Sequence, residues 1–82
     1  MPTVKLYGRL RQIARTKETE VPGDTVAELV DNLRAIYGER FVLYLERGTV
    51  LVNEKKVKDL EGEKTRLEQD VVVSIYPPMG GG

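Results

Sequence analysis

At 82 residues the chain has room for one small domain with a modest core. Thirteen basic and thirteen acidic residues cancel, so no global field draws it to nucleic acid or to an anionic membrane. Cysteine and histidine are both absent, which excludes disulfides, thiolate nucleophiles, Cys/His zinc sites and imidazole acid–base catalysis.

Thr3 to Tyr7 alternates as a half-buried strand does, with Val4 and Leu6 on one face and Lys5 and Tyr7 on the other. Gly8 closes it. From Arg9 to Arg15, Leu10, Ile13 and Ala14 recur at helical spacing under a basic exterior, and the expectation is a short turn or loop over one end of the core. Thr16 to Val21 is polar enough at Lys17, Glu18 and Glu20 to be an edge strand. Pro22-Gly23 ends it. Thr25 and Glu28 then form a capping box, with Asp24 adding negative charge near the positive end of the helix dipole. Val26, Leu29, Val30, Leu33, Ile36 and Tyr37 fall on one helical face, and Gly38 suits the position just past the end. The opposite face, Glu28, Asp31, Asn32, Arg34 and Ala35, is expected to meet water.

Residues 39–48 are less regular: Phe41 to Leu45 fit either a short extended piece or one helical turn. Thr49 to Val52 reads as a buried strand, Asn53-Glu54 as a turn, and Lys55 to Lys58 as a short exposed edge strand. The lysine cluster is followed at once by Asp59, Glu61 and Glu63, which favours a solvated strand over a nucleic-acid site. Leu60 and Leu67 are the expected core anchors of the acidic turn. Gln69-Asp70 introduces a final strand in which Val71, Val73 and Ile75 share one face and Val72, Ser74 and Tyr76 the other. With no apolar run of about 18 residues and no signal-peptide core after Met1, no membrane protein is expected; the expected address is cytoplasmic and the expected state, when free, a monomer.

Pro77 and Pro78 stop that strand, because each lacks an amide donor and holds φ near its extended value. The division expected is a domain over 1–76 and a tail over 77–82. Met79, Gly80, Gly81 and Gly82 follow. Fully extended, such a six-residue tail spans on the order of 20 Å, and its glycines allow close approach to another surface. What it would deliver is the Gly82 α-carboxylate, ionised at neutral pH and a poor electrophile, so acyl chemistry there needs outside activation. The plain alternatives are a frayed terminus or an appended Gly-rich linker.

Strands gathered around a single capped helix argue an α+β domain, a mixed sheet of four to five strands with one main helix packed across it. The first and last strands, being the most apolar, are expected side by side at its centre. The whole chain resembles the β-grasp (ubiquitin-like) sulfur carriers of the MoaD/ThiS group and their relatives, the small archaeal ubiquitin-like modifiers. The resemblance is carried by Leu6-Tyr7-Gly8-Arg9-Leu10-Arg11, by the helix entry from Pro22 to Leu29, by Val50-Leu51-Val52-Asn53, and by Asp70-Val71-Val72 leading to Pro77-Pro78-Met79-Gly80-Gly81-Gly82. Two positions depart from the pattern. Glu54 and Gln69 stand where glycine is common, and both lie in turns remote from the tail.

The resemblance implies a protein that is carried rather than catalytic. Gly82 would be adenylated by an ATP-dependent activating enzyme of the MoeB or ubiquitin-activating type and converted to a thiocarboxylate. The sulfur would then go to a pterin precursor, with a molybdopterin synthase large subunit as partner, or to a tRNA base through a thiolase. Gly80 and Gly81 would give clearance, Met79 an anchor, and Tyr7, Tyr76, Pro77 and Pro78 a docking surface. The simpler account of the two tyrosines is ordinary strand residues half-covered by neighbours. ATP would be used by the partner, with no cofactor or metal bound here and no direct contact with nucleic acid or membrane. A second implied role is a ubiquitin-like tag joined through Gly82 to lysines of other proteins, and a third is an interaction module with an inert tail. The chain carries no phosphate-binding glycine motif and no plausible nucleophile and base pair of its own.

Overall fold

Apolar alternation near the two ends of the chain builds the middle of the sheet. In the computed structural model, which describes residues 1–78, β1 (Thr3–Leu6) lies parallel to β5 (Val72–Tyr76), with Val4 opposite Val73 and Leu6 opposite Ile75. Parallel neighbours cannot be joined by a tight turn, so everything between them acts as the crossover. The inward side chains Val4, Leu6, Val73 and Ile75 are all but sealed from solvent. β2 (Glu18–Glu20) flanks β1, β3 (Thr49–Val52) flanks β5, and β4 (Lys55–Lys56) closes the far edge, all three antiparallel to their neighbours. The order is β2-β1-β5-β3-β4, a five-stranded mixed sheet. The expectation of a β-grasp α+β fold with its first and last strands central therefore holds.

Among the described residues, two shorter helices join the main one on the inner face. Residues 9–15 are not a turn or loop: α1 (Gly8–Ala14) buries Leu10 completely. Its apolar spacing is helical, and its brevity hid it. The main helix, α2 (Val26–Tyr37), starts where the capping box places it. Thr25 Oγ1 accepts from the Glu28 amide at 3.2 Å, and Glu28 Oε1 accepts from the Asp24 amide at 3.1 Å, one residue further back than the usual reciprocal bond. Val26, Leu29 and Leu33 are buried, whereas Ile36, expected on the same face, is 56% exposed. The core under that end is filled by Tyr37 and Phe41 instead, their ring centroids 4.8 Å apart.

Gly38, at φ 96°, makes the corner into α3 (Glu39–Arg47), so the stretch left open between extended and single-turn structure is a nine-residue helix. Phe41, Val42 and Leu45 at i, i+1 and i+4 are its buried stripe. Arg34 ties the corner through Asp31 at 2.7 Å and Glu39 at 3.0 Å; being exposed, each pair contributes about 0–1 kcal/mol.

The edge beyond β3 differs from expectation in two respects. Only Lys55 and Lys56 are strand, and Val57–Asp59 and Gly62–Lys64 are 3₁₀ turns. Between those turns Leu60 faces outward at 38% exposure, so it is not a core anchor, whereas Leu67 is. Thr65 takes the inner place: its hydroxyl accepts from the Glu61 amide at 3.1 Å and its carbonyl from the Val26 amide at 3.0 Å. Asn53 and Glu54 form the two-residue hairpin loop between β3 and β4 with positive φ at both, 48° and 72°. Among the described residues no helix is long and apolar enough to cross a membrane.

Candidate functional site

The strand alternation that buries Ile75 sends Tyr76 to the outer face of the sheet. Because β1 and β5 run in parallel register, with Leu6 opposite Ile75, the next residue on each strand is a tyrosine. The rings of Tyr7 and Tyr76 stack with centroids 4.4 Å apart and planes 9° from parallel. Tyr76 is 38% exposed, and Tyr7 is half-buried. With Lys5, Leu51, Asn53, Glu54, Val72 and Ser74 they line a shallow depression of about 570 Å³. One rim is held firmly: the Asn53 amide donates to the Val72 carbonyl at 2.9 Å, and the Asn53 side-chain oxygen accepts from the Val72 amide at 3.1 Å. The Tyr76 phenol is held above its ordinary value of 10.0, first by hydrogen bonding with the Tyr7 side chain, then by partial burial and by the negative charge of Glu54. It stays neutral through the physiological range.

Where the chain leaves the sheet, two glycines set its course. Gly8, at φ +56°, faces the Pro77 ring so closely that a Cβ there would lie 2.7 Å from Pro77 Cγ. Gly48, which joins α3 to β3, faces the Tyr76 carbonyl, and a Cβ would overlap that oxygen and lie 3.0 Å from the Pro77 carbonyl carbon. Any side chain at either position would push the segment aside. Tyr76-Pro77 is thus gripped between the start of α1 and the end of α3. Pro77 and Pro78 are half-buried, and the expected functional residues Met79, Gly80, Gly81 and Gly82 lie outside the described residues.

Of the docking residues expected from the sequence, the fold brings together Tyr7, Tyr76 and Pro77. Sequence reasoning missed the two glycines. Gly8 follows the break in strand alternation, a visible signal, but only the tertiary structure puts it against Pro77; nothing along the chain marks Gly48. It also missed two guanidinium groups at the same end, Arg11 over the Tyr7 ring at 5.9 Å and Arg9 over the Tyr44 ring at 6.0 Å. Among the described residues no cluster of acidic side chains could hold a metal ion. The chemistry this surface supports is presentation: a rigid strand, an aromatic platform beside it, and a tail root of fixed direction.

Known proteins share this fold. Among solved structures, small archaeal modifier protein 1 from Methanosarcina acetivorans superimposes with a TM-score of 0.88 at 26% identity, over 99% of this chain and 95% of that one. A Pyrococcus furiosus protein assigned as molybdopterin converting factor, subunit 1, superimposes with a TM-score of 0.73 at 26% identity, over 95% and 97% of the two chains. CysO from Mycobacterium tuberculosis, at 22% identity, shares the fold with a TM-score of 0.85 over 96% and 100%. No curated protein matches in sequence at a significant level. The ThiS family model matches residues 4–82, which takes in both stacked tyrosines, both gripping glycines and the whole tail: the chain belongs to the ThiS family.

Proposed function

We propose that this protein is a sulfur carrier whose Gly82 carboxylate is adenylated and then converted to a thiocarboxylate. One observation carries the reading: a Pro-Pro-Met-Gly-Gly-Gly ending is fused to the central strand β5, and its root is gripped by Gly8 and Gly48. A tail of fixed departure and minimal bulk suits insertion into a narrow active site on another protein. In the first step a carboxylate oxygen of Gly82 attacks the α-phosphorus of ATP and pyrophosphate leaves. Hydrosulfide-level sulfur from a donor then attacks the acyl carbon, AMP leaves, and one proton is released. Both steps belong to the activating enzyme, and ATP is its co-substrate. This chain supplies the acyl group and the surface that docks it, Tyr7, Tyr76, Pro77 and Pro78, while Gly80 and Gly81 give clearance and Met79 an anchor. The sulfur would pass to a pterin precursor or a tRNA base, and the likeness to a molybdopterin converting factor subunit favours the former.

The likeness to a small archaeal modifier supports a second reading, in which a lysine ε-amine attacks the same adenylate and an isopeptide bond forms. Intact-mass analysis of the protein from its own cells separates the two. Replacement of one oxygen by sulfur, absent from a chain lacking Gly82, is the expected result for a carrier; lysine-linked adducts mark a modifier. An unmodified mass that stays unmodified after incubation with ATP and the cell's activating enzymes overturns both.

A further inference from the structure

The overall charge balance conceals an uneven distribution at the tail root. α1 carries Arg9 and Arg11 and no acidic residue, so neither has the i±3 or i±4 carboxylate that commonly accompanies an exposed helical arginine. Both ion pairs found among the described residues use Arg34. Arg9 and Arg11, each exposed, instead hold their guanidinium carbons 6.0 and 5.9 Å from the ring centroids of Tyr44 and Tyr7. The Arg11 Nε also donates to the Leu6 carbonyl at 3.4 Å, which leaves the two terminal amino groups of that guanidinium to meet a partner. Two forks are thereby held beside the departing chain: Arg9 adjoins Gly8, which faces Pro77, and Arg11 overlies Tyr7, which stacks on Tyr76.

The planar fork is the donor geometry that a carboxylate accepts in two parallel bonds. A nucleic acid fits less well. Tyr7 and Tyr76 spend ring face on each other rather than offering it to a base, and Lys55 and Lys56 lie on β4 at the far edge of the sheet, separated from β5 by β3.

We propose that Arg9 and Arg11 form a two-pronged receptor for an acidic surface on the protein that takes up the tail, so that carboxylates of the partner pair with the two forks as Gly82 enters its active site. This rests on the carrier reading above, in which a partner activates the tail. The pair would set affinity and orientation while taking no part in the chemistry at Gly82.

The test is ATP–pyrophosphate exchange by the activating enzyme from the same cells, measured against concentration of the wild-type chain, an Arg9→Gln/Arg11→Gln double variant, the Arg→Lys counterpart, and Arg66→Gln as control. Arg66 precedes β5, at the opposite end of that strand from the tail. Circular dichroism and thermal melts establish that each variant is folded. The Gln pair should raise KM by about tenfold or more with little change in kcat, as expected for loss of charge-assisted contacts that act in docking. The Lys pair should fall between, and the wild-type KM should rise with salt more steeply than that of the Gln pair. A folded Gln pair with wild-type KM overturns the receptor and leaves the carrier reading standing. A lower KM overturns it too, since the arginines would then be holding the chain's own Gly82 carboxylate. A KM that is unchanged while a single-stranded RNA gel shift is lost would reassign the pair to nucleic acid. If the wild-type chain drives no exchange at all, the carrier reading falls and the receptor with it.

Discussion

The two faces of β5 do different work within five residues. On the inner face Val73 and Ile75 are sealed between sheet and helices; on the outer face Val72 and Ser74 are half-covered and Tyr76 is exposed. One strand is therefore both the centre of the core and the floor of the candidate site. The buried set and the candidate docking set are separated here by parity along the strand. β3 shows the weaker form of the same division, with only Val52 fully buried.

The sharpest way to break that contrast is Ile75→Ala. Removing a fully enclosed side chain from the central strand should cost about 2–5 kcal/mol, read as a fall in the urea midpoint at unchanged slope, whereas Ser74→Ala next to it should stay within about 0.5 kcal/mol. Gly48→Ala tests the grip on the tail root. Its Cβ would overlap the Tyr76 carbonyl, so the β3–β5 junction must shift, at about 1–3 kcal/mol. Activation of the tail should fall by more than stability alone accounts for, visible as reduced pyrophosphate exchange by a protein that is still folded.

At the opposite end of the hairpin, Glu54→Gly should stabilise. Glu54 holds φ at 72°, and relief of that left-handed conformation is worth about 1 kcal/mol, measured by thermal melting. The smallest effect concerns the stacked tyrosines. Because the Tyr76 phenol is raised above its ordinary value, the native state holds that proton more tightly than the unfolded chain does. Its contribution is fully present below the unfolded value and is lost as pH rises through the raised one. Stability should therefore decline as pH rises past about 10, and Tyr7→Phe should shallow the decline and lower the pH at which Tyr76 ionises, followed by ultraviolet absorbance.

Most of the architecture was legible in order along the chain. The capping box at Thr25 and Glu28 located α2 because it is a local exchange of hydrogen bonds, and alternation in β1 and β5 identified both the buried set and the outward tyrosines because the strand period is two. The misreadings cluster where local pattern is short or shared. Seven residues of α1 contain too few turns to separate helix from loop. The nine residues of α3 carry a contiguous apolar run that suits either geometry until a partner surface chooses. Ile36 and Leu60 were assigned inward by spacing and hydrophobicity, yet their places were taken by Tyr37 with Phe41 and by Thr65.

By itself, then, the sequence determined the class of fold, the central pair of strands, the main helix and the chemical character of the tail, since each depends on neighbours a few residues apart or on covalent structure alone. The tertiary structure decided that Gly8 and Gly48, forty positions apart, close on one carbonyl and one proline ring, and that the Arg9 and Arg11 guanidiniums lie 6.0 and 5.9 Å from the centroids of the Tyr44 and Tyr7 rings. Those contacts exist only once α1, α3 and β5 converge, because backbone approach and ring stacking depend on distances in space that no spacing along the chain encodes.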